Sequence, residues 1–164
     1  MTIKQDLIIS VQSVGIDVSM DTIDCCFCYM TSMRDTITKG TATFGNNLQG
    51  FKKLLTWVQK WEITGQPLFL VMEATGVYYE SLACFFSENT VFKVIVLLPN
   101  KSKAYKQSLN IKSKTDKIDA KALAFMGLER KLEEWQAPSK AIQAIKELSR
   151  ARETLLENKR EFSF

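Results

Sequence analysis

The sequence predicts an α/β domain built on a mixed β-sheet, and three observations carry that prediction. Val14, Ile16 and Val18 alternate with small or polar residues and are followed by a second strand-like run, Ile23 to Met30, across a turn at Asp21 and Thr22, which is the pattern of a hairpin. Two continuous apolar runs, Leu68 to Met72 and Phe92 to Leu98, have the length and composition of strands covered on both faces. Between and after them the period changes to three and four: Leu48, Phe51, Leu54, Leu55 and Val58 mark one helix with a single buried face.

Composition bounds what such a domain does. A chain of 164 residues holds one ordinary domain with a real core, and its 46% hydrophobic and 24% charged residues exclude disorder along most of the length. No apolar stretch approaches the roughly 18 residues of a membrane span, and no cationic region leads into an apolar signal core, so a cytosolic (cytoplasmic) protein without membrane contact is expected. Cys25, Cys26, Cys28 and Cys84 do not form a secreted disulfide framework. Three of them fall in one strand-like run and read as reduced thiols packed in or near the sheet. Histidine is absent, which removes Ser-His-Asp and Cys-His catalysis, histidine general bases and His-ligated zinc. Carboxylates with a metal, or a cysteine, serine or lysine activated in another way, are left. The net charge of +4 permits a nucleic-acid partner without demanding one.

In chain order, the residues before Ser13 read as a loose lead-in. Asp17 interrupts the first strand on the face shared with Gly15 and Ser19, whose small size leaves the carboxylate accessible. An edge strand with Asp17 facing water is the ordinary alternative. Asp35 to Phe44 reads as a third strand, rich in β-branched residues around Gly40, and Gly45-Asn46-Asn47 breaks it. The first helix runs from Leu48 to about Trp61. Glu73 is delivered at the carboxyl end of the apolar strand that follows, where ligands and catalytic groups gather in open α/β sheets. A helix is expected from Ala74-Thr75-Gly76 to about Ser87. Beyond Pro138, Ala141, Ile145, Leu148, Arg152, Leu155, Lys159 and Phe162 form a heptad-like stripe on a helix from Ser139 to about Phe162, which either packs back on the domain or pairs with a second chain.

Asp116 and Asp119 lie three residues apart at the start of a helix running through Leu128, so they share one face. Capping is the ordinary explanation, because Thr115 suits an N-cap and acids in a first turn complement the helix dipole. The surroundings favour another. From Asn89 to Thr115 there are six lysines (Lys93, Lys101, Lys103, Lys106, Lys112, Lys114) and no acid. A lysine-rich loop ending at paired carboxylates reads as a phosphate track leading to a divalent-metal site.

Three motifs then carry a resemblance: Val14-Gly15-Ile16-Asp17-Val18-Ser19, Met72-Glu73-Ala74-Thr75-Gly76-Val77-Tyr78, and Lys114-Thr115-Asp116-Lys117-Ile118-Asp119-Ala120 with Leu123-Ala124. In this order and spacing the chain resembles the ribonuclease H-like superfamily in its Holliday-junction-resolvase (RuvC-like) branch. The nearer likeness is to the amino-terminal DEDD domain of the bridge-RNA-guided insertion-sequence transposases, a family that includes Piv-type DNA invertases. The resemblance implies a mixed sheet flanked by helices (residues 1–130) and a helical, dimerising extension (residues 139–162). It further implies that Asp17, Glu73, Asp116 and Asp119 hold Mg²⁺, with Mn²⁺ as a substitute, to cut and rejoin DNA. Carboxylates suit hard cations, an ion pair about 3.5–4 Å apart stabilises attacking and leaving oxygens, and four crowded acids repel without metal. It also implies a structured guide RNA as partner, contacts to nucleic acid from Lys101, Lys103, Lys106, Lys112, Lys114 and Lys117, and a homo-oligomer formed through the last helix. Members of the family carry a second, carboxyl-terminal domain with a serine nucleophile, which this sequence does not include. Two function classes follow: a Mg²⁺-dependent recombinase domain, favoured by the complete acid quartet, and a nucleic-acid-binding, dimerising module, favoured by the absent serine domain.

Overall fold

The computed structural model describes residues 8–111 and 115–161. Five strands form one sheet: β1 (Ile9–Val18), β2 (Thr22–Thr31), β3 (Thr36–Gly45), β4 (Leu68–Glu73) and β5 (Lys93–Leu97), in the spatial order β3-β2-β1-β4-β5. The first three are antiparallel neighbours, whereas β4 pairs parallel with β1 and β5 parallel with β4. The mixed sheet expected from the sequence is therefore present, with its parallel half made by the two apolar runs.

Helices cover both faces. Val14, Ile16 and Val18 of β1 and Leu68, Leu70 and Met72 of β4 join one cluster with Phe51, Leu54 and Val58 of α1 (Leu48–Trp61) and Leu82, Ala83 and Phe86 of α2 (Glu80–Asn89). On the other face α3 (Pro99–Ser108) and α4 (Asp116–Glu129) pack through Tyr105, Leu123 and Met126 against Val71, Ile95 and Leu97. Cys26 and Cys28 pack against Ala120, Ala124 and Leu128, and Cys25 joins the opposite face; all four cysteines are free thiols.

α4 lies unusually close to β1. A Cβ on Gly15 would run into the carbonyl oxygen of Ala120 and the amide nitrogen of Ala124, and one on Gly127 would run into Ser13 Oγ and Val71 Cγ2. Side-chain-free positions on strand and helix thus let two backbones meet. The contacts also fix direction: Gly127 sits over Ser13 and Ala120 over Gly15, so the first turn of α4 extends toward Asp17, two residues further along the same face of β1.

Three expectations need correction. The residues before Ser13 are not all a loose lead-in, because β1 starts at Ile9 and Gln12 is fully buried, its side chain bonded to the Ile63 amide (2.7 Å) and to the carbonyls of Ile63 (2.9 Å) and Gln66 (3.3 Å). The second helix does not start at Ala74: Gly76 sits at φ +57°, a left-handed turn that breaks helical geometry, and α2 begins at Glu80. The lysine-rich stretch is no loop from Pro99 to Ser108. It is α3, opened by proline at the first turn, where its missing N–H costs nothing.

α5 (Lys140–Glu161) has no buried residue and is tied back to α2 by Arg150, whose guanidinium donates to both oxygens of Glu80 at 3.0 and 2.9 Å, with Lys146 at 3.9 Å from the same carboxylate. Ile145, Leu148 and Leu155 of the heptad-like stripe are exposed, and Phe162 lies outside the described residues. Among the described residues no helix is long and apolar enough to cross a membrane.

Candidate functional site

Asp17 is the penultimate residue of β1 and Glu73 the last of β4. These strands are parallel neighbours with Ile16 opposite Met72, so the two acids emerge at the same end of the sheet and at nearly the same level. The close seam between β1 and α4 brings the first turn of α4, with Asp116 and Asp119, to that end. Thr115 caps this turn, its Oγ1 accepting from the Ile118 amide at 3.2 Å. Capping and a second role for the aspartates therefore coexist: the cap belongs to Thr115, and Asp119 is turned inward, with only 8% of its side chain exposed. Asp116 is exposed at the rim.

Each acid has a defined environment. Glu73 accepts from Thr75 Oγ1 at 2.9 Å on one carboxylate oxygen and from Ser102 Oγ on the other. The Lys106 ammonium, on α3, stands 2.9 Å from Asp119 Oδ1 and 3.8 Å from Glu73 Oε2. Asp17 is half-buried, and its pKa is pushed from 3.8 up to about 6, first by burial, then by the negative charges of Asp119 and Asp116, with a further push from Glu73 and partial relief from Lys106. One carboxylate thus registers the other three. Among the described residues, no group of three or more acidic or sulfur side chains is arranged to hold a metal ion as it stands. A cation bridge through Lys106 joins two of the four instead.

The lysines divide. Lys101, Lys103 and Lys117 are exposed, whereas Lys106 is turned into the acidic site; Lys112 and Lys114 lie outside the described residues. Sequence reasoning missed Ser102 and Thr75 as the partners of Glu73. The signal for Ser102 was available once Pro99 is taken as a helix start, because Ser102, Tyr105 and Lys106 then fall three and four apart on one inward face. Tyr105 anchors that face, donating its hydroxyl to Glu129 of α4 at 2.7 Å.

A sheet ordered β3-β2-β1-β4-β5, antiparallel on one side and parallel on the other, with acids at the ends of β1 and β4 and on a helix crossing β1, defines a ribonuclease H-like fold of the RuvC branch. Solved structures bear out the fold. Thermus thermophilus RuvC superimposes with a TM-score of 0.50 at 10% identity, covering 69% of this chain and 90% of that one. The yeast mitochondrial Holliday junction resolvase Ydc2 does so at 0.50 and 12%, covering 76% and 82%. The sequence itself narrows this further. The profile of the DEDD transposase domain of the IS110 type, described as a transposase, matches residues 14–163, and the chain belongs to that family. It is 37% identical over 126 residues to the pilin gene-inverting proteins of Moraxella bovis and Moraxella lacunata, a match covering 77% of this chain and 37% of each relative. The matched chain thus spans little more than a third of their length.

Proposed function

We propose that this chain is the divalent-metal-dependent nuclease half of a DNA recombinase, with Asp17, Glu73, Asp116 and Asp119 holding Mg²⁺ or Mn²⁺. The observation that carries the reading is the convergence of acids at one end of the sheet: Lys106 stands 2.9 Å from Asp119 and 3.8 Å from Glu73, and Asp17, on the strand beside Glu73, has its pKa raised first by burial and then by the charges of Asp119, Asp116 and Glu73. The donor set fits a hard cation, being carboxylate oxygen throughout. Such an ion, when bound, polarises a phosphodiester and stabilises charge at the attacking and leaving oxygens.

The chain's own residues supply position and approach. Ser102 and Thr75 hold both oxygens of Glu73, which fixes the carboxylate at the strand end. Thr115 fixes the turn that presents Asp116 and Asp119. Lys101, Lys103 and Lys117 stand exposed on α3 and the start of α4, where they attract a polyanionic backbone. The pilin gene-inverting relatives support a DNA-rearranging activity for the whole protein, and the resemblance to RNA-guided transposases makes a guide RNA a second partner proposed for the same lysines. Within the chain, residues 1–130 act as the catalytic unit, and residues 139–162, with Ile145, Leu148 and Leu155 exposed, supply a seam for a second copy.

A nicking assay on branched DNA tests the reading. The chain with Mg²⁺ should nick the substrate, chelator should abolish this, and Asp119→Asn should remove cleavage while leaving DNA binding intact. Binding of the same DNA with no cleavage in either Mg²⁺ or Mn²⁺ would assign the chain to the binding-module class.

A further inference from the structure

We infer that Lys106 is a built-in placeholder cation, which holds Glu73 and Asp119 in position while the site is metal-free and gives way when a divalent ion enters. The inference rests on the carboxylates being a cation site, as proposed above.

Several observations separate this role from an ordinary surface ion pair. Lys106 is drawn to two acids that come from different elements, the end of β4 and the first turn of α4. Its side chain is 22% exposed, against 20% for Glu73 and 8% for Asp119, so the pair with Asp119 is shielded from solvent more than a surface bridge is. Lys106 stands beside Glu73 and Asp119, whereas it relieves the raised pKa of Asp17 only in part.

The lysine also has a defined perch. α3 is fastened by Ser102 to Glu73 and by Tyr105 to Glu129, so the residue next to Tyr105 is carried to the acids by a helix anchored on both sides. An ammonium is a single charge on a flexible four-carbon stem, with three donors and no fixed coordination geometry. It balances two carboxylates in the resting state, yet a divalent ion that can engage all four oxygen donors competes with it. The same charge that offsets the repulsion between the carboxylates therefore opposes metal entry, and the affinity for metal is lower than the acids alone would give. Lys106 is a positioning residue in this account.

The test uses Mn²⁺ alone as the probe, on the full chain. Lys106→Met keeps the aliphatic stem and removes the charge, and Lys106→Arg keeps the charge. The inference expects Lys106→Met to bind Mn²⁺ about tenfold more tightly than the parent, an order set by one partly shielded competing pair, and to unfold more easily in chelator. Lys106→Arg should bind no more tightly than the parent. A second readout needs no variant: the rate at which Lys106 is acetylated by an amine-reactive ester, followed by mass spectrometry, should rise several-fold when Mn²⁺ is added, while Lys101 and Lys103 stay unchanged. Equal Mn²⁺ affinity in parent and Lys106→Met, or an unchanged Lys106 acetylation rate at saturating Mn²⁺, overturns the placeholder and leaves the metal site standing. Failure of both proteins to bind Mn²⁺ overturns the placeholder and the metal site together.

Discussion

Replacing Asp17 by Asn removes one negative charge with little change of shape, and the surroundings of Asp17 give the outcome a sign and a size. A folded-state pKa raised from 3.8 to about 6 means that the folded protein holds this proton more tightly than the unfolded chain does. Between these values the folded state binds more protons, so the contribution of Asp17 to stability falls as pH rises and its cost is fully present above about pH 6. The full shift corresponds to roughly 3 kcal/mol, and half-burial reduces that to about 1–2 kcal/mol. In chelator at pH 7.5, Asp17→Asn should therefore be more stable than the parent by about 1–2 kcal/mol in urea unfolding. Near pH 4 the difference should largely vanish, because the parent's Asp17 is then protonated when folded. Added Mg²⁺ should stabilise the parent more than the variant, since a ligand for the native state adds to its stability. An Asn variant that is less stable than the parent at pH 7.5 in chelator would refute this reasoning, because it would mean that Asp17 is a satisfied structural acceptor.

Other expected outcomes address separate parts of the molecule. Gly15→Ala places a Cβ against the Ala120 carbonyl and the Ala124 amide, backbone atoms that cannot step aside. It should cost about 3 kcal/mol or more in urea unfolding, at or beyond the usual range for overpacking. Thr115→Ala removes the cap of α4 and should cost about 1 kcal/mol, with faster amide exchange in the first turn of that helix. Arg150→Ala should leave global stability nearly unchanged but speed proteolysis within α5, because the bidentate contact to Glu80 ties that helix to α2; high salt should mimic the variant. If Lys101 and Lys103 meet phosphates, replacing both by Ala should lower the slope of log affinity against log salt by roughly two units, and an unchanged slope would leave them as solvating charges.

Much of the scaffold was legible because hydropathy reports burial directly. The apolar runs that became β4 and β5 and the alternation of Val14, Ile16 and Val18 needed no partner to be recognised. The start of β1 was not legible, since Ser10 and Gln12 are polar and Gln12 is buried through hydrogen bonds to Ile63 and Gln66, residues about fifty positions away. α3 was hidden for a related reason. Its buried residues are Ser102 and Tyr105 amid lysines, and a charge run ordinarily means solvent. The four acids stood out by their places inside the first strand, at the end of an apolar strand and in one helical turn, but nothing in their spacing reveals an ammonium between two of them. That contact depends on where α3 lies against α4, which Tyr105 and Glu129 fix through tertiary structure.

The central claim is that the four acids together hold a divalent ion, and anomalous diffraction from crystals soaked in Mn²⁺ tests it most directly. The account predicts an anomalous peak bounded by the carboxylates of Asp17, Glu73 and at least one of Asp116 and Asp119, with the Lys106 ammonium withdrawn. No peak at that end of the sheet under saturating Mn²⁺, with Lys106 still on Asp119 and Glu73, would contradict it.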